Sequence, residues 1–407
     1  MSVLTVDGGR PLRGRLRVPG DKSISHRALL LAARAEGTSV VRGLSTGDDV
    51  RRTAAAIVAL GADVDGDRIT GGVHRLHAAG GTLDVGNSGT SIRLLSGFCA
   101  PYGWRTVLRG DTSVDARPMD RVATPLRLMG ARVDERYPPL TIDGGDLHGI
   151  DYTVPMASAQ VKGCVLLAAV GAEGETVVRE RVATRAHTEE MLASCGADID
   201  VDGLTIRVRP SKLQPFQLDV PGDPSQAAFW VVAATITPRS DLVVENVYLG
   251  PARAGFLQVL TRMGADVTVE GDDIRARTAP LRGTDVEASE IPSLDEVPVL
   301  AVAAAVADGT TRFRDVGELR LKETDRLATV TSELAAMGVA TEVEGDDLVV
   351  HGGGLRAGAV RSHGDHRIAM AMAVAGLSVP GRTAVDGWDA VATSYPEFEE
   401  HLRACAS

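Results

Sequence analysis

A short glycine motif that ends an amphipathic run recurs along this chain. It reads LGADV, MGARV, CGADI, MGADV and MGVAT, and the shared glycines are Gly61, Gly130, Gly196, Gly264 and Gly338. Each copy follows a run with helical periodicity, such as 49–60 or 325–337, and precedes alternating apolar and polar residues. Glycine is common where a helix ends and alternation is typical of a strand, so each copy predicts a helix that leads into a strand.

A second pattern, a strand that opens with Gly or Thr and contains Val, lies upstream of these helices. It occurs six times, beginning near residues 36, 103, 173, 240, 308 and 380. The glycine motif repeats about every seventy residues, and self-similarity at a fixed period indicates repeated structural units. Six such units fit two domains of three, which predicts an α/β fold.

The two ends of the repeat array predict how the chain divides. The first and last units are incomplete, so the strand near 4–6 is expected to complete the C-terminal domain. Two similar segments rich in Pro, Gly and Asp, 18–21 and 217–224, are the candidate crossings between domains. We therefore expect a C-terminal (lower) domain of residues 1–18 with 221–407, and an N-terminal (upper) domain of residues 19–220.

Composition narrows the class of protein. The chain has 407 residues, of which 44% are hydrophobic, and a net charge of -11. This charge argues against a nucleic acid or an anionic membrane as a partner. The first residues, MSVLTVDGGRPLRG, lack the apolar segment of a signal peptide, and the longest apolar runs are too short to cross a bilayer. We expect a cytoplasmic protein.

Cysteine and lysine are both rare. The four cysteines have no CxxC spacing, which predicts reduced residues of the core. Only four of the 43 basic residues are lysines, Lys22, Lys162, Lys212 and Lys322. A composition biased toward arginine explains their scarcity but not their positions, since three of them fall in the motifs described next.

Four motifs combine small polar and basic residues at the predicted start of a helix. They are PGDKSISHR at 19–27, GNSGTSIR at 86–93, DARPMDR at 115–121 and SAQVK at 158–162. Each alone is typical of a plain helix cap. Because repeated units bring equivalent helix ends to one side, the four together predict a pocket for a phosphate or a carboxylate.

The C-terminal half adds candidate acids and bases. Asp295 and Glu296 precede the apolar run VPVLAVAAAVA, where acids usually serve the helix dipole. The segment 321–326 (LKETDR) carries both charge signs, and its simplest interpretation is an exposed turn. The two histidines of 363–367 (HGDHR) have no cysteine partner and make a poor metal site.

Eight motifs in order resemble those of the 5-enolpyruvylshikimate-3-phosphate synthase family. They are GDKSISHR, GNSGTSIR, ARPMDR, SAQVK, RAHTEEM, DEVPVLAVAAA, LKETDR and GDHRIAM, between Lys22 and Pro396. The resemblance implies a two-domain inside-out barrel of six βαβαββ units, three per domain. It implies transfer of an enolpyruvyl group from phosphoenolpyruvate to shikimate 3-phosphate, without a metal or organic cofactor. SAQVK and RAHTEE resemble the bacterial subgroup called class II.

The resemblance also implies roles for particular residues. The catalytic group consists of Lys22, Asp295, Lys322 and Glu323. Shikimate 3-phosphate is expected to contact Lys22, Ser23, Arg27, Ser158, Ala159, Gln160, Arg185, Asp295 and Lys322. Phosphoenolpyruvate is expected to contact Lys22, Gly89, Arg117, Gln160, Arg326 and Arg367. We expect a monomer that binds these two small molecules and neither nucleic acid nor membrane.

Three alternatives remain at this stage. A related family transfers enolpyruvyl to UDP-N-acetylglucosamine, but it typically carries a cysteine in the loop that reads GDTSVDARP here. A cyclase that processes RNA ends uses similar repeats, but would need a basic surface and aromatic residues, which are only 3% of this chain. A repeat protein that only binds would not need Asp295, Lys322 and Glu323.

Overall fold

The computed structural model describes residues 2–250 and 252–406 of the chain. Its α-helices are α1 (Lys22–Arg34), α2 (Asp48–Ala59), α3 (Gly89–Cys99), α4 (Thr112–Asp115), α5 (Asp120–Leu128), α6 (Ala159–Ala169), α7 (His187–Ser194), α8 (Pro224–Ile236), α9 (Gly255–Arg262), α10 (Val297–Val306), α11 (Arg326–Ala336), α12 (His366–Ser378) and α13 (Phe398–Cys405). Short 3-10 helices cover Ala288–Glu290, Gly317–Leu321 and Trp388–Thr393.

The strands are short, and most lie between these helices. They are β1 (Val3–Asp7), β2 (Arg13–Leu16), β3 (Gly37–Arg42), β4 (Asp63–Asp65), β5 (Arg68–Gly71), β6 (Leu83–Asp84), β7 (Arg105–Arg109), β8 (Arg132–Val133), β9 (Leu140–Asp143), β10 (Asp151–Thr153), β11 (Thr176–Arg179), β12 (Ile199–Asp202), β13 (Thr205–Val208), β14 (Gln217–Asp219), β15 (Asp241–Val244), β16 (Asp266–Glu270), β17 (Asp273–Arg277), β18 (Asp285–Glu287), β19 (Thr310–Arg314), β20 (Ala340–Glu344), β21 (Asp347–His351), β22 (Ala359–Arg361) and β23 (Arg382–Asp386).

The chain divides into two compact units. The first comprises Met1–Pro19 and Pro221–Ser407, and the second comprises Gly20–Val220. The second unit holds the sheets β6-β7-β9-β8, β10-β11-β13-β12 and β14-β3-β5-β4. The first unit holds the sheets β16-β17-β15-β2, β18-β19-β21-β20 and β1-β23-β22. In the last of these, β1 pairs with β23 in antiparallel register, Val3 opposite Asp386.

Every sheet combines one parallel pair of strands with antiparallel pairs. A parallel pair needs a crossover connection, which α3 provides between β6 and β7 and α6 provides between β10 and β11. The same arrangement recurs with α10 between β18 and β19 and with α12 between β22 and β23. The predicted α/β fold of six repeated units, three in each half, is therefore confirmed.

Apolar helices form the core of each unit. In the first unit every residue of α8 is buried, and α10 reads VPVLAVAAAV with only its last residue partly exposed. In the second unit α3 and α6 are nearly as buried and pack against each other. A helix that is apolar on all sides has to lie inside its domain, so the sheets are left to cover the outside.

The recurrent glycines have the conformation that their motif predicts. Gly61 follows the C-cap residue of α2 and has a φ of +108°, in the left-handed region that residues with a side chain avoid. The other four copies also have positive φ. The four cysteines are free and buried, as expected. Across residues 2–250 and 252–406, no helix has the length and apolarity needed to span a membrane.

Candidate functional site

Two cations, the buried Arg27 and the partly buried Arg185, meet at the start of α1 in the second unit. Arg185 donates through Nη1 to the hydroxyl of Ser23 at 2.9 Å. Arg27 donates through Nη1 to the Ser23 carbonyl at 2.9 Å and through Nη2 to the Ala159 carbonyl at 3.3 Å. Burial, and next the charge of Arg185, lower the pKa of Arg27 to about 10. Two cations held close together, one of them buried, favour an anion beside them.

Helix caps complete this cluster. Asp21 caps α1 by accepting from the backbone N–H of Ile24 at 2.9 Å. Ser158 caps α6 in the same way, accepting from the N–H of Val161 at 3.3 Å. Arg27 thus contacts carbonyl groups in the first turns of both helices, and an anion at such helix starts gains from the helix dipole.

Lys22 begins α1 and is paired with a residue that the motifs did not indicate. Its Nζ lies 3.0 Å from Oδ2 of Asp49, and that carboxylate is buried. Asp49 lies in the first turn of α2, where an acidic residue reads as a plain helix start. Its role next to Lys22 depends on the packing of α1 against α2, which no local pattern reveals.

A third set of contacts joins the motifs that begin α3 and α6. Gln160 accepts from Nη1 of Arg93 at 2.6 Å and donates to the Thr90 hydroxyl at 2.8 Å. The same Nη1 donates to the carbonyl of Gly89 at 3.2 Å. A methyl group added to Gly89 would lie 2.7 Å from Nη1 of Arg117. Arg93 therefore lies among three of the expected residues, Gly89, Arg117 and Gln160. Arg93 itself ends the GNSGTSIR motif, but the sequence analysis gave it no role.

In the first unit, the carboxylate of Asp295 lies among three cations. Its Oδ1 accepts from Nη1 of Arg326 at 2.9 Å and lies 3.6 Å from Nζ of Lys322. Its Oδ2 lies 3.9 Å from Nη2 of Arg367. The structure therefore brings together four of the five expected residues of this half, which come from the segments that lead into α10 and α11 and from the first turns of α11 and α12.

Arg326 is the centre of this cluster in the first unit. It is only 1% exposed, and it bonds to Oδ2 of Asp365 at 2.8 Å and to Oε2 of Glu323 at 2.5 Å. Burial alone would lower the pKa of Arg326, but the carboxylates of Asp365, Glu323 and Asp295 outweigh it and raise the pKa. The interpretation of 321–326 as an exposed charged turn is wrong for Arg326, because α11 begins there and buries it.

Arg367 has bonding capacity that the protein does not use. Its guanidinium is buried and lies over the ring of Phe229, 5.8 Å from the ring centre. Its Nε and Nη1 have no hydrogen-bond partner anywhere in 2–250 and 252–406. Buried donors are normally paired, so a guanidinium with two spare donors fits an anionic ligand.

The HGDHR segment positions this arginine. Asp365 caps α12 by accepting from the N–H of Arg367 at 2.8 Å while it also holds Arg326. The ring of His363 bonds through Nε2 to Glu333 at 2.7 Å. In the part of the chain that the structure describes, no group of three or more His, Cys, Asp or Glu residues could hold a metal ion.

Comparison with known proteins gives one consistent result. The family model described as EPSP synthase (3-phosphoshikimate 1-carboxyvinyltransferase) matches residues 6–402. The chain is 49% identical to the 3-phosphoshikimate 1-carboxyvinyltransferase of Gloeobacter violaceus, covering 98% of each chain. It is 43% identical to the protein of that name from Bacillus anthracis, covering 97% of each chain.

Solved structures agree. An EPSP synthase from Acinetobacter baumannii is 40% identical, with a TM-score of 0.88 over 99% of this chain and 98% of that one. The enolpyruvyl transferase NikO from Streptomyces tendae has a TM-score of 0.81 over 99% of this chain and 97% of its own, at 22% identity. At that identity the second likeness concerns the fold alone.

Proposed function

Because this chain belongs to the EPSP synthase family, the 3-phosphoshikimate 1-carboxyvinyltransferases, we propose that it transfers the enolpyruvyl group of phosphoenolpyruvate to the 5-hydroxyl of shikimate 3-phosphate and releases phosphate. This reaction belongs to the shikimate pathway, which leads to chorismate and the aromatic amino acids. Relatives at 43% to 49% identity over nearly the whole chain favour it over transfer to UDP-N-acetylglucosamine and over an RNA cyclase.

The observation that carries the proposal is the pair of spare donors on Arg367. Both lie on a buried guanidinium, which is 3.9 Å from the carboxylate of Asp295. Phosphoenolpyruvate carries a carboxylate and a phosphate, and guanidinium N–H groups bind such anionic oxygens through charge-assisted hydrogen bonds. In this proposal Arg326 and Arg367 hold phosphoenolpyruvate beside the residue that acts as base.

The chemistry needs one group that accepts a proton and one that supplies it. Asp295 takes the proton of the 5-hydroxyl as its oxygen attacks the enol carbon, while Lys322 or Glu323 protonates the methylene carbon. The resulting tetrahedral intermediate then loses phosphate, and its methyl group returns a proton to restore the double bond. Arg326 keeps a fixed positive charge beside these steps, because three carboxylates raise its pKa.

The cluster of the second unit is proposed to hold shikimate 3-phosphate. Ser23, Arg27 and Arg185 supply hydroxyl and guanidinium donors for the phosphate, and the α6 start adds Ser158, the Ala159 backbone and Gln160. Gly89, Arg117 and Gln160 are proposed to complete the contacts of phosphoenolpyruvate, with Lys22 contacting both substrates. Donors that hold reactants in fixed positions account for a large part of the rate enhancement in many enzymes.

The test of the function is phosphate release by the purified protein. Phosphoenolpyruvate with shikimate 3-phosphate should release phosphate, whereas phosphoenolpyruvate alone, or with UDP-N-acetylglucosamine, should release none. Release with the nucleotide sugar, and none with shikimate 3-phosphate, would assign the chain to the related transferase instead.

Replacing Arg367 should selectively weaken the binding of phosphoenolpyruvate. Arg367→Lys keeps the charge but loses the two spare guanidinium donors, so the KM for phosphoenolpyruvate should rise about tenfold or more. The KM for shikimate 3-phosphate should change little, because its proposed phosphate contacts lie in the second unit. Arg382→Lys, at an exposed position paired with Asp7, serves as the control. Equal increases in both KM values would remove Arg367 from the phosphoenolpyruvate site.

Gly89 should control inhibition by glyphosate, which the family binds in the phosphoenolpyruvate pocket. The class II motifs alone suggest tolerance, but tolerance in some members arises from alanine at the position of Gly89. We expect this enzyme to be sensitive. A methyl group on Gly89 would lie 2.7 Å from Nη1 of Arg117 and 3.2 Å from Nη1 of Arg93, so both side chains must shift.

Gly89→Ala should therefore raise the inhibitory concentration of glyphosate by a larger factor than it raises the KM for phosphoenolpyruvate. Inhibition curves competed against phosphoenolpyruvate measure both. Gly103→Ala is the matched control, because a methyl group there would have no neighbour within 4 Å. A wild type that already resists the inhibitor, with no further effect of the alanine, would show that another residue controls the pocket.

A further inference from the structure

Glu296 follows Asp295 directly but has a separate set of partners. It is the residue that caps α10, yet its side chain makes no capping hydrogen bond to that helix. The side chain is only 3% exposed. The interpretation of this acid as a partner of the helix dipole therefore leaves its buried carboxylate without an explanation.

The carboxylate is held at both oxygens. Oε1 accepts from the hydroxyl of Ser225 at 2.5 Å and lies 3.7 Å from Nη1 of Arg253. Oε2 accepts from the hydroxyl of Ser293 at 2.6 Å. Arg253 also bonds to Oδ1 of Asp223 at 2.8 Å, and Asp223 caps α8. Glu296 thus fixes the segment before α10 to the first turn of α8 through buried, charge-assisted bonds.

Ser293 connects this network to the reacting groups. Its hydroxyl, which donates to Glu296, also accepts from the backbone N–H of Asp295 at 3.3 Å. Its carbonyl accepts from Nζ of Lys322 at 2.9 Å. One serine held by Glu296 therefore contacts both the proposed base and the lysine proposed to act with it.

The backbone between them is in an uncommon conformation. Leu294 has a φ of +56°, a left-handed conformation that a residue with a branched side chain rarely adopts. Such a residue persists only where surrounding contacts hold it. The bonds from Glu296 to Ser293 on one side and to Ser225 on the other are contacts of that kind.

We infer that Glu296 is a positioning residue, which holds the left-handed turn at Leu294 so that Asp295 and Lys322 keep their places beside Arg326. This inference rests on the proposed function for its effect on turnover, but the turn itself exists independently of the reaction. A group that acts through geometry should affect kcat more than the KM of either substrate.

The central variant is Glu296→Gln. An amide keeps the size and one accepting oxygen, but its NH2 group cannot accept from a serine hydroxyl, and the charge beside Arg253 is lost. We expect kcat to fall by about tenfold to a hundredfold, as a misplacement of reacting groups by about 1 Å produces. Both KM values should change by less than kcat does. Glu290→Gln is the control, since Glu290 also pairs with an arginine, Arg262, but accepts from a backbone N–H in an exposed capping box.

Ser293→Ala tests whether Glu296 affects kcat through Ser293. If Glu296 acts through Ser293, the double variant should lose no more kcat than the more affected single variant. Losses that multiply would show that Glu296 does not act through Ser293 and would overturn the inference. Ser225→Ala removes only one bond to Glu296 and provides a milder variant if Glu296→Gln folds poorly.

Hydrogen exchange separates this inference from the proposed function, because it needs no turnover. The backbone amides of 293–297 should exchange faster in Glu296→Gln than in the wild type, and those of 285–290 should not. A wild type that releases no phosphate would refute the function alone. Unchanged exchange at 293–297, or faster exchange with a wild-type kcat, would overturn the role of Glu296.

Discussion

Asp295→Asn is expected to lower turnover about a hundredfold or more while shikimate 3-phosphate still binds. Asparagine has the size of aspartate and offers an oxygen to Nη1 of Arg326, which now bonds to the carboxylate at 2.9 Å. It cannot take the proton of the attacking hydroxyl. The proposed phosphate contacts of shikimate 3-phosphate, Ser23, Arg27 and Arg185, are untouched by the change.

Phosphate release measures the turnover, and calorimetric titration measures the affinity for shikimate 3-phosphate. Asp285→Asn is the control, an exposed aspartate of the same unit that pairs with Arg314. Turnover close to that of the wild type would remove Asp295 from the catalytic residues. A loss of binding as large as the loss of turnover would assign it to substrate binding instead.

Lys162→Met should destabilise the protein by about 3–5 kcal/mol. The Lys162 side chain is 1% exposed, and its Nζ lies 2.7 Å from Oε2 of Glu180 and 2.6 Å from Oε1 of Glu189. Methionine has a similar shape but leaves two buried carboxylates without their cation. The same network reaches the proposed phosphate site, since Glu180 accepts from Thr184, which precedes Arg185, and Thr188 accepts from Nε of Arg27 at 2.6 Å.

The loss of stability in Lys162→Met should depend on pH in a definite direction. Burial raises the pKa of Glu189 even though Lys162 opposes this effect, so Glu189 takes up a proton more readily in the folded protein than in the unfolded one. A group with a raised folded pKa stabilises the fold at low pH and loses that contribution as the pH rises. Without Lys162 the pKa of Glu189 should rise further. The loss of unfolding free energy caused by Lys162→Met should therefore become smaller as the pH is lowered.

Urea unfolding of wild type and variant at neutral and acidic pH measures both effects. Lys212→Met is the matched control, because it removes an exposed lysine from the same unit. A deficit below about 1 kcal/mol, the range of exposed ion pairs, would show that the carboxylates of Glu180 and Glu189 are accommodated without Lys162.

The repeated units could be predicted because their signal is local. A helix that ends in glycine and leads into a strand appears in the sequence wherever it occurs, as at Gly61. The order and register of the strands could not be predicted this way. The incomplete end units predict that the strand near residues 4–6 joins the C-terminal domain, but no spacing in the sequence encodes its register, in which Val3 lies opposite Asp386.

The same difference between local and long-range signals applies to the site residues. The motifs indicated helix starts with cations, such as Arg27 and Arg326, because capping residues and basic residues are adjacent in sequence. They did not indicate the partners that these cations have in space. Asp49 looked like an ordinary helix start, and Glu296 looked like a dipole partner, because burial and long-range hydrogen bonds decide both roles.

The fate of the enol carbon tests the account most directly. Wild-type protein is incubated with shikimate 3-phosphate and with phosphoenolpyruvate labelled with carbon-13 at that carbon, and the products are followed by carbon and phosphorus NMR. We expect one equivalent of phosphate for each equivalent of an enol ether joined to the 5-oxygen of shikimate 3-phosphate. Phosphate accompanied by free pyruvate, or a label that stays in phosphoenolpyruvate, would contradict it.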